Sequence, residues 1–97
     1  MMREKAYDVE LLKGEQIKVA RILLGWSQRT LAAKAYLSET PVTRLERKIL
    51  EKKSTMKLLA HVLTEAGIIF VNHDDGTMGV LIKPDADRAT GEEVDNE

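Results

Sequence analysis

Two short amphipathic segments separated by a tight corner occupy residues 26–46, WSQRTLAAKAYLSETPVTRLE, and constrain this chain more than any other feature. The first predicts a helix over Gln28–Ala35 capped by Ser27, with Leu31 and Ala35 at i, i+4 as its inner stripe and Ala32 allowing close helix approach. Ser38 is the expected cap of the second. At about 100° per residue, Val42, Leu45 and Ile49 fall on one side of that helix, and Thr40, Arg44 and Arg47 almost opposite, with Thr43 alongside. Pro41 fits only if the helix starts near Glu39, because a first-turn residue has no intrahelical use for the missing N–H. A helix clamped along one stripe and polar along the other is the layout of a helix-turn-helix, and it makes DNA binding the leading expectation.

The remaining chain divides around this segment. A helix is expected over Lys13–Leu24, with Ile17, Ala20 and Leu24 inward, Val19 and Leu23 broadening the apolar face, and Gly25 as its stop. Trp26, at the junction, reads as core. After a basic connector, Lys48–Lys53, Ser54 is the expected cap of a helix that turns Leu59, Val62, Leu63 and Ala66 inward and ends at Gly67. The period then changes. Ile68–Val71 and Gly79–Lys83 flank Asn-His-Asp-Asp-Gly-Thr, and Asp75-Gly76 predicts an antiparallel hairpin. A two-residue turn there would set Val71 opposite Val80, Ile69 opposite Ile82, and Phe70 opposite Leu81. Both faces of the hairpin would then be apolar. Either a second subunit covers Ile69, Phe70, Val71, Val80, Leu81 and Ile82 in part, giving a homodimer, or the helices shelter one face and leave the other half exposed.

The expected organisation is thus a mainly α chain: residues 1–12 as a flexible arm or short helix, 13–67 as a helical DNA-binding domain, 68–83 as the hairpin, and 84–97 as a disordered acidic tail. At 97 residues, 43% hydrophobic and 32% charged, the chain fits one small soluble domain with a single core. It contains no cysteine, which excludes disulfides, zinc fingers and thiol chemistry, and no cofactor is expected. Charges alternate where a signal peptide needs an apolar run, and no apolar stretch approaches membrane-spanning length, so the expectation is a cytoplasmic protein without membrane contact. The net charge of −1 hides an uneven distribution: residues 1–57 carry thirteen Lys/Arg against seven Asp/Glu, and 85–97 carry six acids against Arg88. A basic front suits phosphate contact, since locally placed cations release counterions, although a solvated surface would look the same in composition.

The residues Ile17-x-x-Ala-Arg-x-Leu-Leu-Gly-Trp-Ser-Gln, Leu31-Ala32-x-Lys-Ala, Leu37-Ser38 and Val42-x-x-Leu-Glu resemble the lambda-repressor-like, or XRE-type, helix-turn-helix regulators over about Gly14–Gly67. The continuation Leu63-Thr-Glu-Ala-Gly-Ile-Ile-Phe-Val with Gly79-Val-Leu-Ile looks like a subgroup ending in a β-hairpin, and is similar to small antitoxin repressors that dimerise through C-terminal strands. The resemblance implies a four- to five-helix domain acting as a homodimeric regulator of transcription on double-stranded DNA. It implies that Gln28 binds a phosphate at a helix start, that Glu39, Thr40 and Arg44 read base edges, and that Ser38 and Thr43 lie beside them. A helix-start carboxylate favoured by the dipole accounts for Glu39 equally well. It also implies a salt bridge between Arg21 and Glu46, which removes Glu46 from the reading surface. Two positions depart from the family pattern. Tyr36 stands where glycine is usual in the corner, which implies either an altered turn or a strained residue. Lys48 replaces the frequent glycine after Leu-Glu, which implies a longer helix carrying Arg47, Lys48, Lys52 and Lys53 along the DNA backbone.

Catalysis would need a convergent set of acid, base, nucleophile or metal ligands, and the two histidines, His61 and His73, are dispersed. His73-Asp74-Asp75-Gly76 lacks the ligand count of a calcium loop and reads as a turn, so neither an enzyme nor a metal site is expected. The competing class is an antitoxin or adaptor whose hairpin or acidic tail holds a toxin or other protein partner, with or without DNA binding of its own.

Overall fold

The computed structural model describes residues 10–49 and 51–89. Residues 1–9 of the expected arm and 90–97 of the expected tail lie outside the described residues. Four helices precede one hairpin: α1 Gly14–Leu24, α2 Gln28–Lys34, α3 Glu39–Glu46, α4 Lys53–Glu65, β1 Ile68–Asn72 and β2 Met78–Ile82. The apolar residues recurring at three- and four-residue spacing converge on one core, in which Ile17, Leu24, Leu31, Val42, Leu59, Leu63 and Ile68 are fully buried. Trp26 belongs to that core, as does Leu12 just ahead of α1.

Helix ends decide how these elements turn. Ser27 accepts a hydrogen bond from the Thr30 N–H, as an N-cap should. Ser38 occupies the N-cap position of α3 without a side-chain capping bond, and Ser54 lies inside α4, whose N-cap is Lys52. The expected caps there are corrected accordingly: position alone does not make a serine bond, because its hydroxyl must also adopt the reaching rotamer. At the C-terminal ends of α1, α2 and α3 the same closure recurs. Trp26 N–H reaches Arg21 O and Gly25 N–H reaches Ile22 O; Leu37 N–H reaches Ala32 O and Tyr36 N–H reaches Ala33 O; Ile49 N–H reaches Arg44 O and Lys48 N–H reaches Leu45 O. These paired bonds, six-to-one enclosing five-to-two, satisfy carbonyls that the helix would otherwise leave open. Each closure needs one residue in the left-handed region, and Gly25, Tyr36 and Lys48 supply it with φ of 73°, 57° and 63°.

Two of the three are not glycine. Tyr36 keeps the glycine conformation in the corner, so the turn is unaltered and the residue carries the strain. Lys48 ends α3 rather than extending it, which corrects the expectation of a longer helix. A left-handed conformation costs an ordinary residue about 1 kcal/mol or more, and the Tyr36 side chain is 96% exposed, so it makes no packing contribution to offset that cost. Tyr36→Gly is therefore expected to stabilise the domain by about 0.5–1 kcal/mol in urea unfolding, the relief of strain exceeding the added freedom of the unfolded chain. Tyr36→Ala, which keeps the strain, should change little. A loss of stability in the glycine variant would show that the ring has a partner.

The hairpin forms with a register one residue away from expectation. Ile68 faces Ile82, Ile69 faces Leu81, Phe70 faces Val80, Val71 faces Gly79 and Asn72 faces Met78. The turn is the reason. Gly76 N–H bonds His73 O, and His73 N–H bonds Thr77 O, so the loop holds three residues, Asp74-Asp75-Gly76. Gly76 takes φ of 93°, the left-handed third position of such a loop, where a two-residue turn would have closed on Asp75-Gly76 alone. The Thr77 backbone N–H donates to the Asp75 carboxylate at 2.9 Å and holds its pKa below the usual value. A one-residue shift reassigns the faces. Ile68, Phe70, Val80 and Ile82 all lie against the helical core, and Ile69, Val71 and Leu81 form the outer face.

Two further attachments fix the hairpin and the C-terminal end. The buried Gln16 side chain donates toward Val71 O, Asn72 Oδ1 and Gly79 O at 3.1–3.2 Å and accepts from Lys13 N–H and Asn72 Nδ2, tying the start of α1 to both strands. Residues 84–89, expected to begin the disordered tail, are instead docked. Asp87 N–H bonds Ala66 O, Ala89 N–H bonds Leu24 O, Trp26 Nε1 donates to Asp87 O, and Ala86 and Ala89 pack on the core. Backbone bonding to two helix ends and burial of small alanines order a stretch whose composition is too polar to order itself.

Candidate nucleic-acid interface

The corner formed by α2 and α3 is held to α1 by one buried ion pair. Arg21 on α1 donates from Nε and Nη2 to the two oxygens of Glu46 on α3 at 2.8 and 3.0 Å, and from Nη1 to Trp26 O at 2.8 Å. The fork-to-carboxylate geometry fixes orientation as well as distance. Glu46 Oε1 also accepts from Gln28 Nε2 at 3.0 Å, and Gln28 Oε1 accepts from Thr43 Oγ1 at 2.8 Å. The amide of Gln28 thus bridges α2 to α3, and Thr43, half-buried, faces the bridge. Both were expected at the DNA surface, and the structure places both within this polar bracket behind it.

With Val42, Leu45 and Glu46 buried, the opposite side of α3 is left to solvent: Ser38, Glu39, Thr40, Arg44 and Arg47 are exposed, and Lys48 continues that surface past the helix end. Two of these side chains carry acidic neighbours. Arg44 Nε donates to Glu51 Oε2 at 2.7 Å, the arginine side chain half exposed and the glutamate 17% exposed. The Nη side of the guanidinium makes no hydrogen bond or ion pair among the described residues. Arg29 and Glu39 approach at 3.4 Å with both side chains open to water, a pairing that contributes little. Lys48 lies 3.9 Å from Glu15, and Lys53, the first residue of α4, pairs with Glu10. Arg47 and Lys52 are exposed and make no ion pair among the described residues.

The expected DNA-facing residues therefore fall into two groups. Ser38, Glu39, Thr40, Arg44, Arg47, Lys48 and Lys52 share one exposed region around α3 and the following turn, and Lys53 lies at its margin. Gln28 and Thr43 are committed to the bracket. Glu51 was missed, since an acid in a basic connector gives no sign of its partner until the turn at Lys48 brings it seven residues back to Arg44. Gln16 was missed for a similar reason: nothing local distinguishes a buried glutamine from an exposed one on the polar edge of a helix.

His61 and His73 are both exposed, on α4 and beside the hairpin turn, and the described residues hold no cluster of three or more potential metal ligands. None of their helices is long and apolar enough to cross a membrane. No family model matches the chain, and no curated protein matches it.

Proposed function

We propose that this protein is a sequence-specific double-stranded DNA-binding regulator of the helix-turn-helix type, similar to the lambda-repressor-like proteins, and that it acts as a homodimer on an inverted repeat. The observation that supports this most is the contrast across α3: Val42, Leu45 and Glu46 locked to the body, and Thr40, Arg44 and Arg47 held rigidly toward solvent. A groove-reading helix needs that combination, since a loosely held helix would lose binding energy to its own ordering. Arg44 is the base reader in this scheme. Glu51 holds Nε, and the two terminal amino groups form the fork that matches guanine O6 and N7. Thr40 and Glu39 flank it, and Arg47, Lys48 and Lys52 supply phosphate contacts. No catalytic role is assigned to any residue.

Selection of bound sites from random duplex DNA, followed by footprinting, tests the reading. A palindrome with half-sites about one helical turn apart is the expected product. Arg44→Ala should then relax preference at one position per half-site, a discrimination of about 1–3 kcal/mol. Lys52→Ala should weaken all sequences alike and reduce the salt slope by about one. A chain that selects no site, and that copurifies with a stoichiometric protein partner, would favour the antitoxin or adaptor class instead.

A further inference from the structure

The corner between α2 and α3 has four residues outside the helices, Ala35, Tyr36, Leu37 and Ser38. Ala35 is buried and Leu37 packs on the core, so Tyr36 and Ser38 are the two that face water, continuous in the chain with Glu39 and Thr40 of the proposed reading surface. Tyr36 is the costly member of this set. It is 96% exposed, takes φ of 57°, and its hydroxyl makes no hydrogen bond among the described residues. Its backbone is not free to relax, because the bonds from Tyr36 N–H to Ala33 O and from Leu37 N–H to Ala32 O close the end of α2 around it. A large aromatic side chain thus occupies a glycine conformation and returns nothing to the fold. Strain of this kind, held in place by its surroundings, clusters where a protein meets its ligand.

We infer that the Tyr36 hydroxyl donates a hydrogen bond to a phosphate of the DNA strand bordering the groove that α3 enters. The inference rests on the DNA-binding part of the function proposed above and adds a contact residue to it. It also goes beyond the family resemblance, since the glycine usual at this position has no side chain to offer.

Dimensions select the phosphate over a base. A helix with its side chains is about 10–12 Å across and the major groove about 12 Å wide, so α3 would fill the groove, and residues just outside its N-terminal end would meet the groove wall. That wall is sugar and phosphate. Charge selects the hydroxyl. Residues 35–38 contain no cation, and the adjacent Lys34 is drawn to the Trp26 ring at 4.8 Å and to the Asp87 carboxylate at 3.9 Å. A phosphate at the corner therefore meets a neutral donor, and the tyrosine phenol is one of the side chains that position a protein on the DNA backbone. The closed turn fixes where this side chain starts, so less freedom is lost on contact.

A neutral contact to the backbone has a signature different from those of Arg44 and Lys52. The probe is a single duplex taken from the pool that the wild-type chain retains out of random sequence, read by fluorescence anisotropy and by ethylation interference. Tyr36→Phe, which keeps the ring and the strain, should bind about tenfold more weakly, the order expected for a hydrogen bond to a charged acceptor. Its base preference and salt slope should equal those of the wild type, since neither a base contact nor a charge is removed. Ethylation of one phosphate in each half-site, beside the bases read by α3, should weaken the wild type and leave Tyr36→Phe unaffected. Tyr36→Gly should bind no better than Tyr36→Phe while unfolding at higher urea, which removes poorer folding as the cause. A wild-type chain that retains no duplex overturns the DNA-binding reading and this contact together. A wild-type chain that binds, with Tyr36→Phe binding equally well or changing its base preference, overturns the contact alone. Affinity lost in Tyr36→Gly and kept in Tyr36→Phe likewise overturns it, as does a copurifying protein partner that Tyr36→Gly releases with DNA affinity unchanged.

Discussion

Glu46→Ala is expected to destabilise the domain by about 3–5 kcal/mol, the cost of leaving a buried charge without its partner. Arg21 is 8% exposed, and its Nε and Nη2 both donate to Glu46. Removing the carboxylate does not free the guanidinium to reach water. It leaves Nε and Nη2 facing the space Glu46 occupied, and it deprives Gln28 of an acceptor. Against a total stability of about 5–15 kcal/mol for a domain of this size, such a loss is severe and should be plain in urea unfolding at neutral pH. The double variant Arg21→Met, Glu46→Leu separates the two meanings of the pair. A well-packed apolar replacement can match the ion pair in stability, so most of the loss should be recovered. A single variant that loses less than about 1 kcal/mol would refute the claim that the pair is desolvated.

The second large effect has a sign opposite to helix propensity. Gly14 is the first residue of α1, and of the two residues alanine is the better helix former. Gly14→Ala is instead expected to cost about 3 kcal/mol and to lower Tm by about 10–20 °C. A Cβ at this position would lie 2.0 Å from Leu45 O and 2.9 Å from its carbonyl carbon. Both are backbone atoms near the end of α3, so no side chain can swing aside, and relief requires the two helices to separate. Gly14→Ala would therefore displace α3 from the bracket that holds it. Unchanged Tm in a thermal scan would mean that the helices can part at no cost.

How much of this was legible beforehand depended on the range of the interaction concerned. The four helices follow from apolar spacing and from Ser27, Gly25 and Gly67, all short-range signals. The Arg21–Glu46 pair was implied only through family resemblance; spacing along the chain says nothing about which of many charges meet. The hairpin was legible as an element and misread in register, because Asp-Asp-Gly suits a three-residue loop as well as Asp-Gly suits a two-residue one. That single residue moves Val80 and Ile82 to the face shared with Phe70 and withdraws all three from the outer surface. The Thr40 and Arg44 face emerged from helical angles alone, whereas the roles of Gln28, Thr43 and Glu51 depend on side-chain reach between elements. Residues 84–89 were misjudged because composition measures what a segment can bury by itself and ignores open carbonyls at the ends of α1 and α4.

Trp26 is the only tryptophan in the chain. Its ring is 5% exposed, lies 4.8 Å beneath the Lys34 ammonium at the end of α2, and donates its one N–H to Asp87 in the docked C-terminal segment. The molecule thereby contains a single optical sensor at the junction of the corner and the strap that closes over it. A red shift in its emission that precedes the loss of helical signal would register release of residues 84–89 as a separate event, with no label attached and no residue changed.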